Sequence, residues 1–235
     1  MWKKFLLDIF FPQFCLSCGK EGTLICQDCL SLIEISEYQF CPFCKTPRRV
    51  FLEGTCKSHR KMNLDGLFAA TSYKNPLVKK LIKNFKYEPF LKNLKEPLAF
   101  LIIAHFLLSE NKKIFQNPEN SFFLAIPLST FRERWRGFNQ SAEIARVLSD
   151  FFKIPLQINN LIKIKKTQLQ VELGEKEREK NIKGAFKIQI PEEIKEKIIF
   201  LVDDVFTTGQ TMEEAARVLK NEGTKEVWGV VIARE

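Results

Sequence analysis

Ile198-Ile199-Phe200-Leu201-Val202-Asp203-Asp204-Val205-Phe206-Thr207-Thr208-Gly209-Gln210-Thr211 decides how the rest of the chain is read. The first five residues form an unbroken apolar run, the composition of a strand covered on both faces. Asp203 then opens a polar loop that lasts to Thr211. A helix is expected after it, through Ala215, Ala216, Val218 and Leu219, and a last strand over Val227 to Ala233. Strand, loop, helix and strand make a βαβ unit, so the fold class is α/β with a mostly parallel sheet flanked by helices. In such sheets ligands bind beyond the carboxyl ends of the strands, which is where this loop falls.

The loop has the composition of a sugar-phosphate site. Backbone N–H groups at a helix start attract an anion, Gly209 lets the chain approach it closely, and the hydroxyls of Thr207, Thr208 and Thr211 beside Gln210 add donors. Two adjacent acids would repel phosphate. They make sense if Asp203 and Asp204 accept hydrogen bonds from ribose hydroxyls next to it, or help to place magnesium. The plainer reading is a helix cap with a threonine turn, but a cap needs one such residue and this loop concentrates several.

Upstream of that unit, strand-like and helical runs alternate. Phe68 to Tyr73 reads as a strand. Leu77 to Tyr87 reads as a helix with Leu77, Leu81, Ile82 and Phe85 on one face and Lys79, Lys80, Lys83 and Lys86 on the other. Leu94 to Leu108 is a further helix, Asn111 to Asn120 a polar linker, Phe122 to Pro127 a buried strand and Ser141 to Phe152 another helix.

Before Leu64 the composition changes. All seven cysteines lie there, in the dyads Cys15/Cys18, Cys26/Cys29 and Cys41/Cys44, with Cys56 followed by His59. A C-x-x-C turn lets two thiolates reach one tetrahedral ion, so four such pairs suit two structural zinc ions. An odd cysteine count, with His59 where an eighth would fall, argues for metal over disulfides and for a reducing, cytoplasmic setting. Sequential pairing puts Cys15, Cys18, Cys26 and Cys29 on one ion and Cys41, Cys44, Cys56 and His59 on the other; an interleaved arrangement has the same spacing. The expected organisation is a double zinc ribbon module over 1–63 and an α/β domain over 64–235.

The chain has 235 residues and a net charge of +9, unevenly spread. Ile198 to Glu235 holds 4 basic and 7 acidic residues, so the part before it carries +12. Anionic partners fit that excess. Met1 to Phe14 is basic then apolar, but Asp8 interrupts the run and no small-residue cleavage site follows before Cys15. A short amphipathic helix docked on the protein is expected there, with contact to a membrane surface as the alternative.

The Ile198 to Thr211 stretch resembles the ribose-phosphate loop of type I phosphoribosyltransferases, and more of the chain resembles one branch of that fold, the ComF family linked to DNA uptake and natural transformation. The carriers are the cysteine dyads, Tyr73 with the Lys-rich helix to Lys86-Tyr87, Ile126-Pro127-Leu128, Arg136-Gly137-Phe138-Asn139-Gln140, Thr167 with Gln170, Arg178 with Asn181, and Gly184-Ala185-Phe186. The resemblance implies phosphoribosyl pyrophosphate with magnesium as ligand. Asp203 and Asp204 would then meet ribose and magnesium, and Thr207, Thr208, Gly209, Gln210 and Thr211 the 5-phosphate. It implies a diphosphate site at Arg132, Arg134, Arg136, Gly137, Asn139 and Gln140. It also makes Lys163 to Phe186 a mobile loop over the site, with Thr167, Gln170, Arg178 and Asn181 matching the family pattern. Lys163 and Lys165 depart from that pattern, standing where the family often has arginine.

Two functions follow. One is a binding or regulatory pocket in a protein of DNA uptake that handles single-stranded DNA, with a helicase of the uptake machinery as a further partner. The other is an active phosphoribosyltransferase whose acceptor and general base are not visible in the sequence. Phe40, Phe43 and Phe51 near the ribbons could stack on bases, although filling the small module's core is the favoured reading.

Overall fold

The computed structural model describes residues 12–51, 53–109, 117–165 and 182–235. Most of Met1 to Phe14, most of the polar linker, and Thr167, Gln170, Arg178 and Asn181 lie outside them. The short elements of the amino-terminal part are helix α1 (Gln27–Ser31) and strands β1 (Gln39–Phe40) and β2 (Arg49–Val50), which pair antiparallel. Then follow β3 (Gly66–Ser72), α2 (Pro76–Lys86), α3 (Lys95–Leu108), β4 (Ser121–Ala125), α4 (Thr130–Arg136), α5 (Gln140–Phe152) and β5 (Leu156–Gln157). Strands β6 (Leu161–Lys163) and β7 (Phe186–Ile188) precede β8 (Ile198–Phe206), α6 (Gln210–Asn221) and β9 (Glu226–Arg234).

Five strands form one sheet in the order β3-β9-β8-β4-β5, parallel throughout. The run read first from sequence is its centre. β8 lies between β9 and β4, and its side chains alternate between two cores as a strand's period of two requires. Phe200 and Val202 join Leu98, Ile102 and Phe106 of α3 and Ala142 and Leu148 of α5 on one face. Ile199 and Leu201 join Met212, Ala215 and Leu219 of α6 and Phe186 and Ile188 of β7 on the other.

β8 runs longer than the apolar run that marks it. Asp203 pairs with Val231 and Phe206 with Arg234 of β9, so the strand continues through both acids. The expected loop from Asp203 to Thr211 thus shortens to Thr207–Gly209. Ladder bonds with a neighbour of matching length outweigh the poor strand propensity of aspartate. Several short elements have no clear signal in the sequence. Thr130 to Arg136 forms helix α4, capped by Ser129, whose side chain accepts from Arg132 N. β6 and β7 pair antiparallel with Lys163 opposite Phe186, so the two ends of the segment between them are brought together.

The cysteine-rich part is bound closely to the sheet. Cys15, Ile25, Cys26, Cys29 and Ile33 share the core that holds Phe68 and Trp228. β3 is an edge strand, and the chain before β1 covers its open side. Ser36 N donates to Ala70 O at 2.8 Å, and Thr71 Oγ1 donates to Glu34 O at 2.8 Å. Such cover removes the exposed edge that invites pairing with another chain. At the 63/64 position the backbone is held too, since Asn63 N and Leu64 N donate to the Glu213 carboxylate of α6.

Candidate functional site

Four elements converge at the carboxyl end of the sheet. β8 delivers Asp203 and Asp204, α2 ends at Lys86, α4 ends at Arg136, and α5 begins at Gln140. Asp204 is 2% exposed, and its oxygens lie 3.0 Å (Oδ1) and 2.9 Å (Oδ2) from Lys86 Nζ. Asp203 Oδ1 accepts from Ser141 Oγ at 2.9 Å and from Asp204 N at 2.8 Å. Both acids are therefore engaged by donors of the chain itself.

These surroundings change how the groups ionise. Burial, and then the neighbouring Asp204, push the Asp203 carboxyl up to about 7, against the Lys86 charge and the hydrogen bonds it accepts. Burial alone would lower the Lys86 ammonium, but Asp204 and Asp203 outweigh it and hold it above the ordinary lysine range. Burial lowers Lys163, at the end of β6, to about 8; Arg132 pushes the same way and Asp203 opposes. Lys163 thus stands within the field of the same acids and arginines, at the root of the segment between β6 and β7.

The residues beyond β8 split into two kinds. Thr207 and Thr208 are exposed, and Gly209 is buried with φ +78 at the start of α6. A Cβ at Gly209 would come within 2.4 Å of the Phe206 ring, so no larger residue fits without a shift. Gln210 and Thr211 open α6, whose positive dipole end faces the turn. The turn therefore combines hydroxyls with a helix start, the makings of a phosphate cradle.

The six residues expected to meet diphosphate have distinct positions. Arg136 is buried and donates to the side-chain oxygen of Gln140, itself buried, while Arg132 is half-buried and Arg134 exposed. Gly137 takes φ +81 and ends α4. Asn139 caps α5, accepting from Ser141 N and Ala142 N, and donates from Nδ2 to Ile126 O at 3.1 Å. Asn139 and Gln140 thus shape the turn and steady Arg136, whereas Arg132 and Arg134 retain reach. Ser141 and Lys86 were not singled out as site residues in the sequence. The lysine's place at the end of the Lys-rich helix was visible, but its carboxylate partner is 118 residues away.

The cysteine-rich part gathers eight donors into two sets of four. Cys15, Cys18, Cys26 and Cys29 form one, and Cys41, Cys44, Cys56 and His59 the other, with the donor atoms of each set within 4.8 Å of one another. This is the sequential pairing. His59 turns Nδ1 towards Cys56, Cys41 and Cys44 Sγ at 3.2, 3.4 and 3.6 Å. Cys18 and Cys26 Sγ stand 3.6 Å apart, as do Cys44 and Cys56 Sγ. Two thiolates at about 2.3 Å from one tetrahedral ion are separated by about this much, far beyond a covalent S–S bond. All seven cysteines are free, and closed sets of four soft donors are structural zinc sites.

Known families agree with both halves. A double zinc ribbon domain matches residues 6–59, and a phosphoribosyl transferase domain matches residues 124–235. Competence protein F of Haemophilus influenzae is 29% identical over 236 residues, which span 95% of this chain and 99% of that protein. The chain is thus related to competence protein F along nearly its whole length and carries both domains. Another relative, competence protein ComFC of Bacillus subtilis, is 27% identical over 87% of this chain and 81% of its own. DNA utilization protein YhgH of Salmonella typhimurium is 30% identical over 56% of this chain and 57% of its own. The transferase-like match includes Asp203, Asp204 and the turn to Thr211 but begins after Lys86. No described helix is long and apolar enough to cross a membrane.

Proposed function

We propose that this protein binds phosphoribosyl pyrophosphate with magnesium at the carboxyl end of its sheet, and takes part in DNA uptake by handling single-stranded DNA in the cytoplasm. One observation carries the ligand reading. Two adjacent carboxylates at the end of the central strand, Asp203 half-buried and Asp204 buried, lead through Thr207–Gly209 into the start of α6, with Arg136 on a neighbouring helix. Ribose hydroxyls would donate to Asp203 and Asp204, the 5-phosphate would take the turn from Thr207 to Thr211, and Arg132, Arg134 and Arg136 would face the diphosphate.

Magnesium requires hard oxygen ligands, and the carboxylates of Asp203 and Asp204 fit that donor chemistry. When bound it would neutralise diphosphate charge. The part of the chain itself is positional: Ser141 and the Asp204 N–H orient one carboxylate, Lys86 holds the other, and Gln140 fixes Arg136.

The role in DNA uptake rests on the likeness to competence protein F and ComFC, and on the +12 carried before Ile198. A helicase of the uptake machinery is a fitting partner. The test is calorimetric titration of phosphoribosyl pyrophosphate with magnesium into the wild type and into Asp203→Asn with Asp204→Asn, followed by an assay for diphosphate release with and without single-stranded DNA. Binding lost in the double variant, with zinc content intact, supports the site; equal binding in both refutes it. Diphosphate release would make the protein a transferase, and binding without release a regulatory pocket.

A further inference from the structure

Helix α4 leaves two large aromatic rings in water. Phe131 is 76% exposed and Trp135 52% exposed. A separation of four residues puts them on one face of the helix, about 5–6 Å apart at Cβ. Trp135 is held in place by Phe90, the two rings meeting at right angles with centroids 4.9 Å apart. Phe90 itself packs partly buried against the main core. Two rings on one helix face, each more than half exposed, make a stacking surface.

The charges around it select the partner. The remaining long side chains of α4 are Arg132, Arg134 and Arg136 against one acid, Glu133, and Lys92 follows Phe90 by two residues. Exposed aliphatic residues such as Leu107 and Leu108 belong to α3. A protein or lipid surface docking through apolar contact would have to desolvate guanidinium groups on α4. A polyanion that carries flat rings would not, since every base offers a π-face and every nucleotide a phosphate.

We propose that Phe131 and Trp135 form the platform on which bases of a single-stranded nucleic acid stack, within the positive field of the arginines of α4. Because α4 ends at Arg136, the strand passes the diphosphate side of the sugar-phosphate pocket. The aromatics named from sequence near the ribbons, Phe40, Phe43 and Phe51, are not part of this surface. Stacking is tolerant of sequence, so the platform reads no particular base. This inference rests on the single-strand reading above and adds where the strand lies.

The experiment uses the full-length, zinc-loaded protein and a labelled oligothymidylate of about 16 nucleotides, followed by fluorescence anisotropy over a salt series. Trp135→Ala should weaken binding about tenfold and Phe131→Ala, at a site too exposed to matter for folding, about fivefold, while Trp135→Phe keeps a ring and stays within about threefold of wild type. The slope of log affinity against log salt should be the same in all variants, because no phosphate contact is removed. Wild-type affinity in a Phe131→Ala, Trp135→Ala double variant would overturn the platform and leave the single-strand reading standing. Failure of the wild type to bind the oligonucleotide would overturn both.

Discussion

Lys86 Nζ lies 2.9 Å from Asp204 Oδ2, joining the end of α2 to the end of β8. The carboxylate is 3% exposed and the lysine side chain 28%, so the pair sits at the floor of the candidate pocket with one partner still open to water. A ligand that takes Asp204 must compete with an ammonium already in place. Lys86→Met leaves a buried carboxylate unpaired and should destabilise the protein by about 2 kcal/mol, less than a fully buried pair because of the remaining exposure. Adding Asp204→Asn should restore most of that loss, and denaturant unfolding of the four proteins in the cycle measures it.

Asp203 gives a pH dependence of stability. Burial pushes its carboxyl up to about 7 in the folded protein from the ordinary 3.8 of a solvated aspartate, so between those values the folded state holds a proton that the unfolded state has lost. Stability from this group therefore falls as pH rises from about 4 to about 7 and is level above. Asp203→Asn removes the slope. Its stability relative to wild type should increase across that window and then stay constant, as thermal unfolding at a series of pH values would show. A difference independent of pH would refute the raised carboxyl.

Arg234 ties the second metal set to the phosphate turn. Its guanidinium donates to the carbonyls of Cys41, Pro42 and Cys44 at 3.0–3.1 Å, and its Cα partner across the ladder is Phe206, the residue before Thr207. Arg234→Met should cost about 2–3 kcal/mol and make one of the two zinc ions more accessible to a chelator. Chelator-induced zinc release should then show one fast and one slow phase where wild type shows two slow ones.

Metal analysis should find two zinc ions per chain. Because Cys15, Cys26 and Cys29 share the core with Phe68 and Trp228, chelation should lower the melting temperature of the whole protein. A metal-free protein that melts as the loaded one does would refute the zinc assignment.

Gly209→Ala should be destabilising by about 1–3 kcal/mol, since it puts a Cβ at positive φ against the Phe206 ring. It should also weaken phosphoribosyl pyrophosphate binding in calorimetry, because the phosphate turn must shift to admit it.

Much of this protein is set by local sequence. The run Ile198 to Val202 is apolar at every position, which suits a strand with both faces covered, and β8 is central in the sheet. Metal donors four to a set follow from the C-x-x-C turns, because a tetrahedral ion needs two such turns and the chain between them is short. Helix α2 could be read from its period, and the structure adds the Asn75 cap, whose side chain accepts from Leu77 and Val78 N.

What the sequence left open depends on neighbours distant along the chain. β8 extends to Phe206 because β9 supplies partners for Asp203, Val205 and Phe206, and no local signal in Asp203-Asp204 announces a strand. Sequential pairing of the dyads, which spacing alone shares with the interleaved alternative, is visible only in the two donor sets that the folded chain gathers. Lys86 meets Asp204, Ser141 meets Asp203 and Arg234 meets Cys41 across 118, 62 and 193 residues respectively. Residue type and spacing determine which groups can bind phosphate or metal; tertiary packing decides which meet one another, and burial is what moves Asp203 towards neutrality and brings Lys86 and Asp204 together as an ion pair.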